Sequence, residues 1–204
     1  MGFYSRVIFP RLCDFVLDRP FVAKHRRELL STVDGEVLEI GFGSGLNLAY
    51  YPDHVHKITV VDPNPGMQRQ ARRRIDRAGI EVDQRLLSSE ELPFDDQVFD
   101  CVVSTFTLCS IEDVGRALGE AYRVLKPGGR FLFLEHGLSP EVKVQKWQRR
   151  LNWLQRRLGD NCRLDRNVHD LVRKESFGNV AIDEFYLEQT PRTHGYTYKG
   201  IAMR

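Results

Sequence analysis

Leu38-Glu39-Ile40-Gly41-Phe42-Gly43-Ser44-Gly45-Leu46-Asn47 joins an apolar strand, with an acid near its end, to a loop that has a glycine at every second position. Three residues without Cβ atoms let a ligand approach the backbone and permit positive φ, while a strand before and a helix after fix the loop at a sheet edge. A dinucleotide-binding turn has the spacing Gly-x-Gly-x-x-Gly, with the helix N-terminus facing a pyrophosphate. Here the third glycine comes one residue early, at Gly45, and Glu39 sits two residues before the first. A carboxylate there favours a cationic or hydroxyl-bearing ligand over a phosphate.

This combination points to S-adenosylmethionine (SAM), a sulfonium nucleoside without phosphates. By itself the short glycine pattern is weak evidence, since an ordinary tight turn is the alternative, and its context decides. The apolar run Ile58-Thr59-Val60-Val61 ends in Asp62, at about the 20-residue offset where an acid accepts hydrogen bonds from a ribose diol.

A chain of 204 residues holds one sizeable core and is too short for two comfortable domains. The expectation is a single domain over 1–204, with lid helices in 1–34, a cofactor-binding core in 35–138, and substrate-side helices and terminal strands in 139–204. Hydrophobic residues at 42% and charged residues at 28% exclude disordered and low-complexity classes. A net charge of +2, from 30 basic and 28 acidic side chains, gives no general case for nucleic-acid binding. Cys13, Cys101, Cys109 and Cys162 contain no Cys-x-x-Cys pair, so spacing indicates neither a zinc site nor a disulfide scaffold, and a reducing cytoplasm is expected. Arg6, Arg11, Asp14, Asp18 and Arg19 interrupt the N-terminal apolar residues, which leaves no signal or membrane-spanning run there.

Strand and helix signals alternate from about 36 to 158, the pattern of βαβ units on a parallel sheet. Strands are expected at Glu36–Ile40, Lys57–Val61, Glu81–Leu87, Val98–Ser104 and Arg130–Glu135. Helices are expected at Pro65–Ala78, closed by Gly79, and at Glu112–Leu125, stopped before Pro127-Gly128-Gly129. A long helix over Glu141–Leu158, a polar stretch Gly159–Arg166 and a shorter helix follow. Strands near Val180–Leu187 and Tyr196–Met203 come last, able to pair antiparallel across Glu188–Gly195. Ahead of the first strand, Arg11–Leu17 and Phe21–Leu30 read as helices split at Pro20 and able to cover a cofactor.

With Glu39 to Gly45, Asp62, Leu92-Pro93-Phe94, Phe99-Asp100 and Leu125-Lys126-Pro127-Gly128-Gly129 in order, the chain resembles the class I SAM-dependent methyltransferases. Asp62-Pro63-Asn64-Pro65, Thr107-Leu108-Cys109-Ser110-Ile111, Glu135-His136, Trp147-Gln148 and Asp160 to Arg166 look like the thiol S-methyltransferases of the methyltransferase-like type. The resemblance implies an α/β, Rossmann-like, seven-stranded, mostly parallel sheet with the last strand antiparallel. It also implies SAM as cofactor and S-adenosylhomocysteine as product.

In that reading Gly41, Phe42, Gly43, Gly45 and Asn47 line the methionine and ribose, and Glu39 orients the loop or the methionine ammonium. Asp62, followed by Pro63, takes the ribose hydroxyls, and Met67 packs on the adenine, with a core role equally open. Ser88, Ser89 and Glu90 form the adenine loop, and Ser104 closes the cofactor side of the fourth strand. The acceptor pocket is expected from Thr105, Phe106, Cys109 and Trp147. His136, at a strand end, is the candidate general base, since imidazole titrates in the right range; a structural or orienting role is the alternative. Asn161 to Arg166 reads as a pocket-side loop or a structural turn.

In the helix Glu141–Leu158, Val144, Trp147, Leu151, Leu154 and Leu158 recur at helical spacing opposite Lys146, Arg149, Arg150, Arg156 and Arg157. This basic amphipathic helix packs over the site or touches a membrane surface. Arg69, Arg72, Arg73, Arg74 and Arg77 read as a solvated face, with no nucleic-acid signature beside them.

The expected activity is methyl transfer from SAM to a small molecule, with a thiol sulfur first. Phosphatidylethanolamine-type N-methylation, C-methylation of a quinone precursor and non-catalytic SAM binding are the alternatives. Methyl transfer from a sulfonium is an in-line displacement that needs alignment and exclusion of water more than a strong base.

Overall fold

The computed structural model describes residues 2–204, so Met1, at the start of the expected lid segment, lies outside them. A seven-stranded sheet has the order β3-β2-β1-β4-β5-β7-β6. Its strands are β1 (Val37–Ile40), β2 (Lys57–Val61), β3 (Glu81–Arg85), β4 (Phe99–Thr105), β5 (Leu125–His136), β6 (Val180–Tyr186) and β7 (Tyr196–Met203). β1 to β5 pair in parallel, and β7 runs antiparallel to both β5 and β6. The fold class is as expected.

Helices cover both faces: α1 (Phe9–Leu17), α2 (Pro20–Leu30), α3 (Pro65–Ile75), α4 (Val114–Val124), α5 (Val142–Leu158), α6 (Val168–Lys174) and the short α7 (Arg192–Gly195). A π-helical turn, Tyr4–Ile8, leads into α1. Period-two alternation divides the core. Val102, Phe131 and Phe133 face α4 and α6, whereas Val103, Leu132 and Leu134 face the side of Leu29, Leu30 and Ala71.

Several boundaries shift for local reasons. Pro20 opens α2 at its first position, where a missing N–H costs nothing. Asn64 accepts from Gly66 N at 2.8 Å and starts α3, which ends at Ile75, three residues before its expected end. Asp113 caps α4 by accepting from Arg116 N at 3.0 Å, so that helix begins at Val114. β5 begins at Leu125 rather than Arg130: Leu125 pairs with Phe99, and Pro127-Gly128-Gly129 forms an irregularity within the strand before Arg130 pairs with Cys101. The apolar stripe of α5 is also rotated from its expected position. Val144 and Gln148 are its buried residues, while Trp147, Leu154 and Leu158 are exposed.

β1 has β2 on one side and β4 on the other, so the strand order reverses there. A crevice therefore opens outside the carboxyl ends of β1, β2 and β4, where open α/β sheets take their ligands.

Candidate active site

The chain leaves β1 through Gly41 (φ +70°) and Gly43 (φ +57°). A Cβ on Gly41 would also overlap the Thr107 side chain. Asp62, just past β2, ties this turn down: Oδ2 accepts from Gly43 N at 2.8 Å and Oδ1 from Asn64 N at 2.8 Å. Burial pushes its carboxyl above the usual range, and these two N–H groups pull it back. Two fixed acceptor oxygens at the rim of a crevice suit a vicinal diol.

Glu39 is almost fully buried in β1. Its carboxylate accepts from Tyr51 Oη at 2.7 Å and from Asn47 Nδ2 at 2.9 Å. Desolvation raises its pKa to about 7 against those hydrogen bonds and the nearby Arg26 charge. Glu39 thus stands between neutral and charged at physiological pH, ready to be charged by a cationic ligand.

The crevice, about 340 Å³, is lined by Glu39, Gly41, Phe42, Gly43, Asn47, Asp62, Pro63, Met67, Ser88, Ser89, Glu90, Thr105 and Phe106. Two expected cofactor contacts lie elsewhere. Gly45 (φ +78°) is absent from the crevice lining; its positive φ turns the chain, and a Cβ there would crowd Phe42 and Leu48. Ser104 is buried in the sheet and donates to Glu135 Oε1 at 2.8 Å.

The N-terminal segment closes over this crevice, and Phe9, Cys13 and Leu17 join its lining. Arg26, on α2 and 3% exposed, donates to Asn47 Oδ1 at 2.6 Å and Thr105 Oγ1 at 2.8 Å. Asp14 on α1 accepts from the Ser44 hydroxyl and from Arg74. Ser5 donates to Asp160 at 2.7 Å, and Asn64 Nδ2 donates to Ser5 O at 2.9 Å. Arg74 is therefore a clasp on the lid rather than part of a solvated face. The sequence pattern assigned no site role to Arg26, Asp14 or Asp160. One signal was present: Val22, Arg26, Leu29, Leu30 and Val33 form an apolar stripe with a single charge in it.

A second cavity, about 520 Å³, adjoins the first and shares Phe9, Cys13, Leu17, Phe106 and Ser110 with it. Its walls include Leu12, Phe15, Val16, Val22 and Leu187, and none of its lining residues is a carboxylate. Cys109, His136 and Cys162 lie along its lining. His136 Nε2 is 3.1 Å from Cys162 Sγ, which also accepts from Gln155 Nε2 at 3.3 Å. Hydrogen bonding from Cys109 and the adjacent imidazole pull the Cys162 thiol well down, and the Cys109 thiol moves up in return. His136 Nε2 is thus taken up by Cys162, while Nδ1 is buried without a partner.

Arg166 donates to the carbonyls of Leu108 and Ile111, and Asn161 Nδ2 donates to Ser110 O at 2.9 Å. The stretch Asn161 to Arg166 thereby braces the loop that carries Cys109. Trp147, expected at the acceptor pocket, is 55% exposed and lines neither cavity. The residue that seats α5 is its neighbour Gln148, which accepts from Ser139 N at 3.0 Å and donates to Gly137 O at 2.9 Å.

Comparisons with known proteins show the family and the fold. The methyltransferase-domain family profile matches residues 38–133. The chain is 30% identical over 192 residues to thiol S-methyltransferase TMT1B of Rattus norvegicus, covering 87% of this chain and 78% of that protein. A shorter stretch of 80 residues is 42% identical to the ubiquinone/menaquinone biosynthesis C-methyltransferase UbiE of Brucella anthropi, covering 38% of this chain and 30% of that one. A SAM-dependent methyltransferase structure from Thermotoga maritima superposes with a TM-score of 0.69 at 21% identity, over 98% of this chain and 97% of the other, a likeness of fold.

Proposed function

Since the chain belongs to the class I SAM-dependent methyltransferases and takes SAM as its methyl donor, we propose that it methylates the sulfur of a small, mostly apolar thiol. The observation that carries this reading is the second cavity. It is apolar, it meets the cofactor crevice at Phe106 and Ser110, and its polar groups include sulfur and imidazole without a carboxylate.

Glu39 and Asn47 receive the methionine end of SAM, Asp62 the ribose hydroxyls, and Met67 with Ser88 to Glu90 the adenine. SAM held by these residues would present its methyl group at the wall that the two cavities share. The acceptor sulfur attacks that carbon in line, a new S–C bond forms, and the old C–S bond breaks to leave neutral S-adenosylhomocysteine. The thiol proton passes to solvent. A thiol near pKa 8.5 is already a few per cent thiolate at neutral pH, so alignment in a dry cavity supplies most of what the reaction needs. The lid formed by α1 and α2 keeps water out.

An amine acceptor fits less well. A lipid ammonium entering this cavity meets no counter-charge, whereas a thiol needs none. C-methylation of a quinone precursor is the second reading, supported by the stretch of likeness to UbiE. No helix among the described residues is long and apolar enough to cross a membrane. The four free cysteines support a cytoplasmic compartment. Exposed Leu12, Phe15, Val16 and Leu158 beside the cavity support peripheral contact with a membrane as the route for lipophilic acceptors.

The test is methyl transfer from labelled SAM to a panel of alkyl and aryl thiols, lipid amines and quinols, with products identified by mass spectrometry. S-methylated thiols are expected. Turnover confined to amines or quinols overturns the assignment.

A further inference from the structure

Cys109 follows β4, His136 ends β5 and Cys162 follows α5, yet one ligand atom from each lies within 4.8 Å of the other two. Zinc binds Cys at about 2.3 Å and His at about 2.1 Å, so the edges of its tetrahedron run to roughly 3.4–3.8 Å. The trio therefore closes onto such an ion with small side-chain rotations. We propose that Cys109, His136 and Cys162 form a zinc site in the acceptor cavity, with the fourth position open to the acceptor sulfur.

Three observations support it beyond proximity. The donor set, two thiolates and one imidazole, is one that zinc takes with an open catalytic position. Its frame is rigid: Arg163 N donates to Cys109 O at 2.9 Å, and the Arg166 guanidinium holds the carbonyls of Leu108 and Ile111 on either side of the Cys109 turn. The Gln155 amide already donates to Cys162 Sγ, an outer-shell contact that would survive metal binding and hold the thiolate in place. His194 lines the same cavity, but its Nε2 pairs with Gln155 Oε1 at 3.3 Å, outside the trio. Among the described residues no fourth protein ligand closes the site.

Zinc binding displaces the protons still held by the two thiols and the imidazole. An acceptor thiol arriving at the open position loses its proton to solvent and is held as thiolate facing the shared wall with the SAM crevice. The role of the fourth position rests on the thiol reading above; the metal site itself does not.

The test uses the full chain, purified under reducing conditions without added metal. Elemental analysis is expected to find one zinc per chain, and Cys162→Ser or His136→Gln should weaken zinc by at least the roughly 10–100-fold that loss of an outer-shell partner costs. Cys101→Ser, with its sulfur in the sheet, should keep the ion. Cobalt(II) exchanged into the wild-type chain needs no variant to fold: intense ligand-field and thiolate charge-transfer bands are expected, and an alkyl thiol should shift them. A reduced wild-type chain that retains no zinc or cobalt overturns the proposal, as does a cobalt spectrum that thiol leaves unchanged. Thiol turnover undiminished by exhaustive chelation with no metal retained sinks the zinc site and leaves the thiol reading standing.

Discussion

The Arg26 guanidinium donates to Asn47 Oδ1 at 2.6 Å, which joins a lid helix to the glycine loop through one buried contact. The same guanidinium reaches Thr105 at 2.8 Å, and its charge helps hold Glu39 ionisable. Arg26→Ala removes the cation and strands Asn47 Oδ1, while Thr105 Oγ1 keeps its bond from Asn47 Nδ2. Breaking a buried charged contact of this kind costs about 3–5 kcal/mol. Thermal denaturation should show that loss, and SAM should restore less stability to the variant than to the wild-type chain. An unchanged melting temperature would mean that the lid is not anchored through this residue.

Asp62 offers two oxygens, each already fixed by a backbone N–H. Asp62→Ala should weaken SAM by about 10–100-fold, the value of a hydrogen bond to a charged acceptor. A SAM analogue lacking the ribose hydroxyls separates ribose recognition from turn stability. The analogue should bind wild type and variant about equally in calorimetry, so that the two losses do not add. Additive losses contradict a direct contact with the diol.

The glycine loop, Asp62 and the parallel sheet were legible because each depends on short-range pattern: a strand, a Cβ-free turn, an acid at the next strand's end. The misreadings share a cause. Trp147 outranks Gln148 on any hydrophobic scale, yet Gln148 is buried because three backbone groups need its amide. Arg26 hides in an apolar stripe because its partners lie 21 and 79 residues away. Cys109, His136 and Cys162 have no spacing motif because each comes from a different segment, and only the β-sheet order and the loop after α5 bring them together.

Burial lifts Glu39 to about 7 in the folded chain, above its ordinary value of 4.5. Its protonated form costs the fold nothing below the unfolded value, and stability is lost as pH rises from there through about 7. The cationic methionine end of SAM favours the carboxylate, so binding lowers this pKa and releases a proton near neutrality. SAM affinity should therefore fall as pH drops below about 7, by up to about tenfold per unit. Titration calorimetry in buffers of different ionisation enthalpy measures the released proton directly. Glu39→Gln should flatten the profile; a slope that persists in the variant assigns the proton to another group.

Trp147 and Gln148 are neighbours with opposite expectations. Trp147→Ala changes an exposed side chain and should shift stability by no more than about 0.5 kcal/mol, with turnover intact. Gln148→Ala leaves Ser139 N, Gly137 O and Thr193 O without their partner. A cost of about 1–3 kcal/mol or more is expected from orphaned buried groups. Denaturant unfolding of the two variants compares them, and a larger loss in Trp147→Ala would restore the apolar stripe read from the sequence.

Gly66, in the first turn of α3, lies against the backbone of Arg6, and a Cβ there would overlap the Arg6 carbonyl oxygen. The obstacle is main chain, so no rotamer change relieves it. Gly66→Ala should push the Tyr4–Ile8 turn off α3, loosening Ser5 from Asn64 and Asp160 while leaving the sheet untouched. Trypsin cleavage after Arg6 and Arg11 should accelerate, and SAM should dissociate faster in stopped-flow chase. The melting transition of the core should change little, since alanine favours the helix by about 1 kcal/mol over glycine. Protease resistance equal to that of the wild-type chain, with unchanged SAM release, would show that the N-terminal segment covers the crevice without controlling access to it.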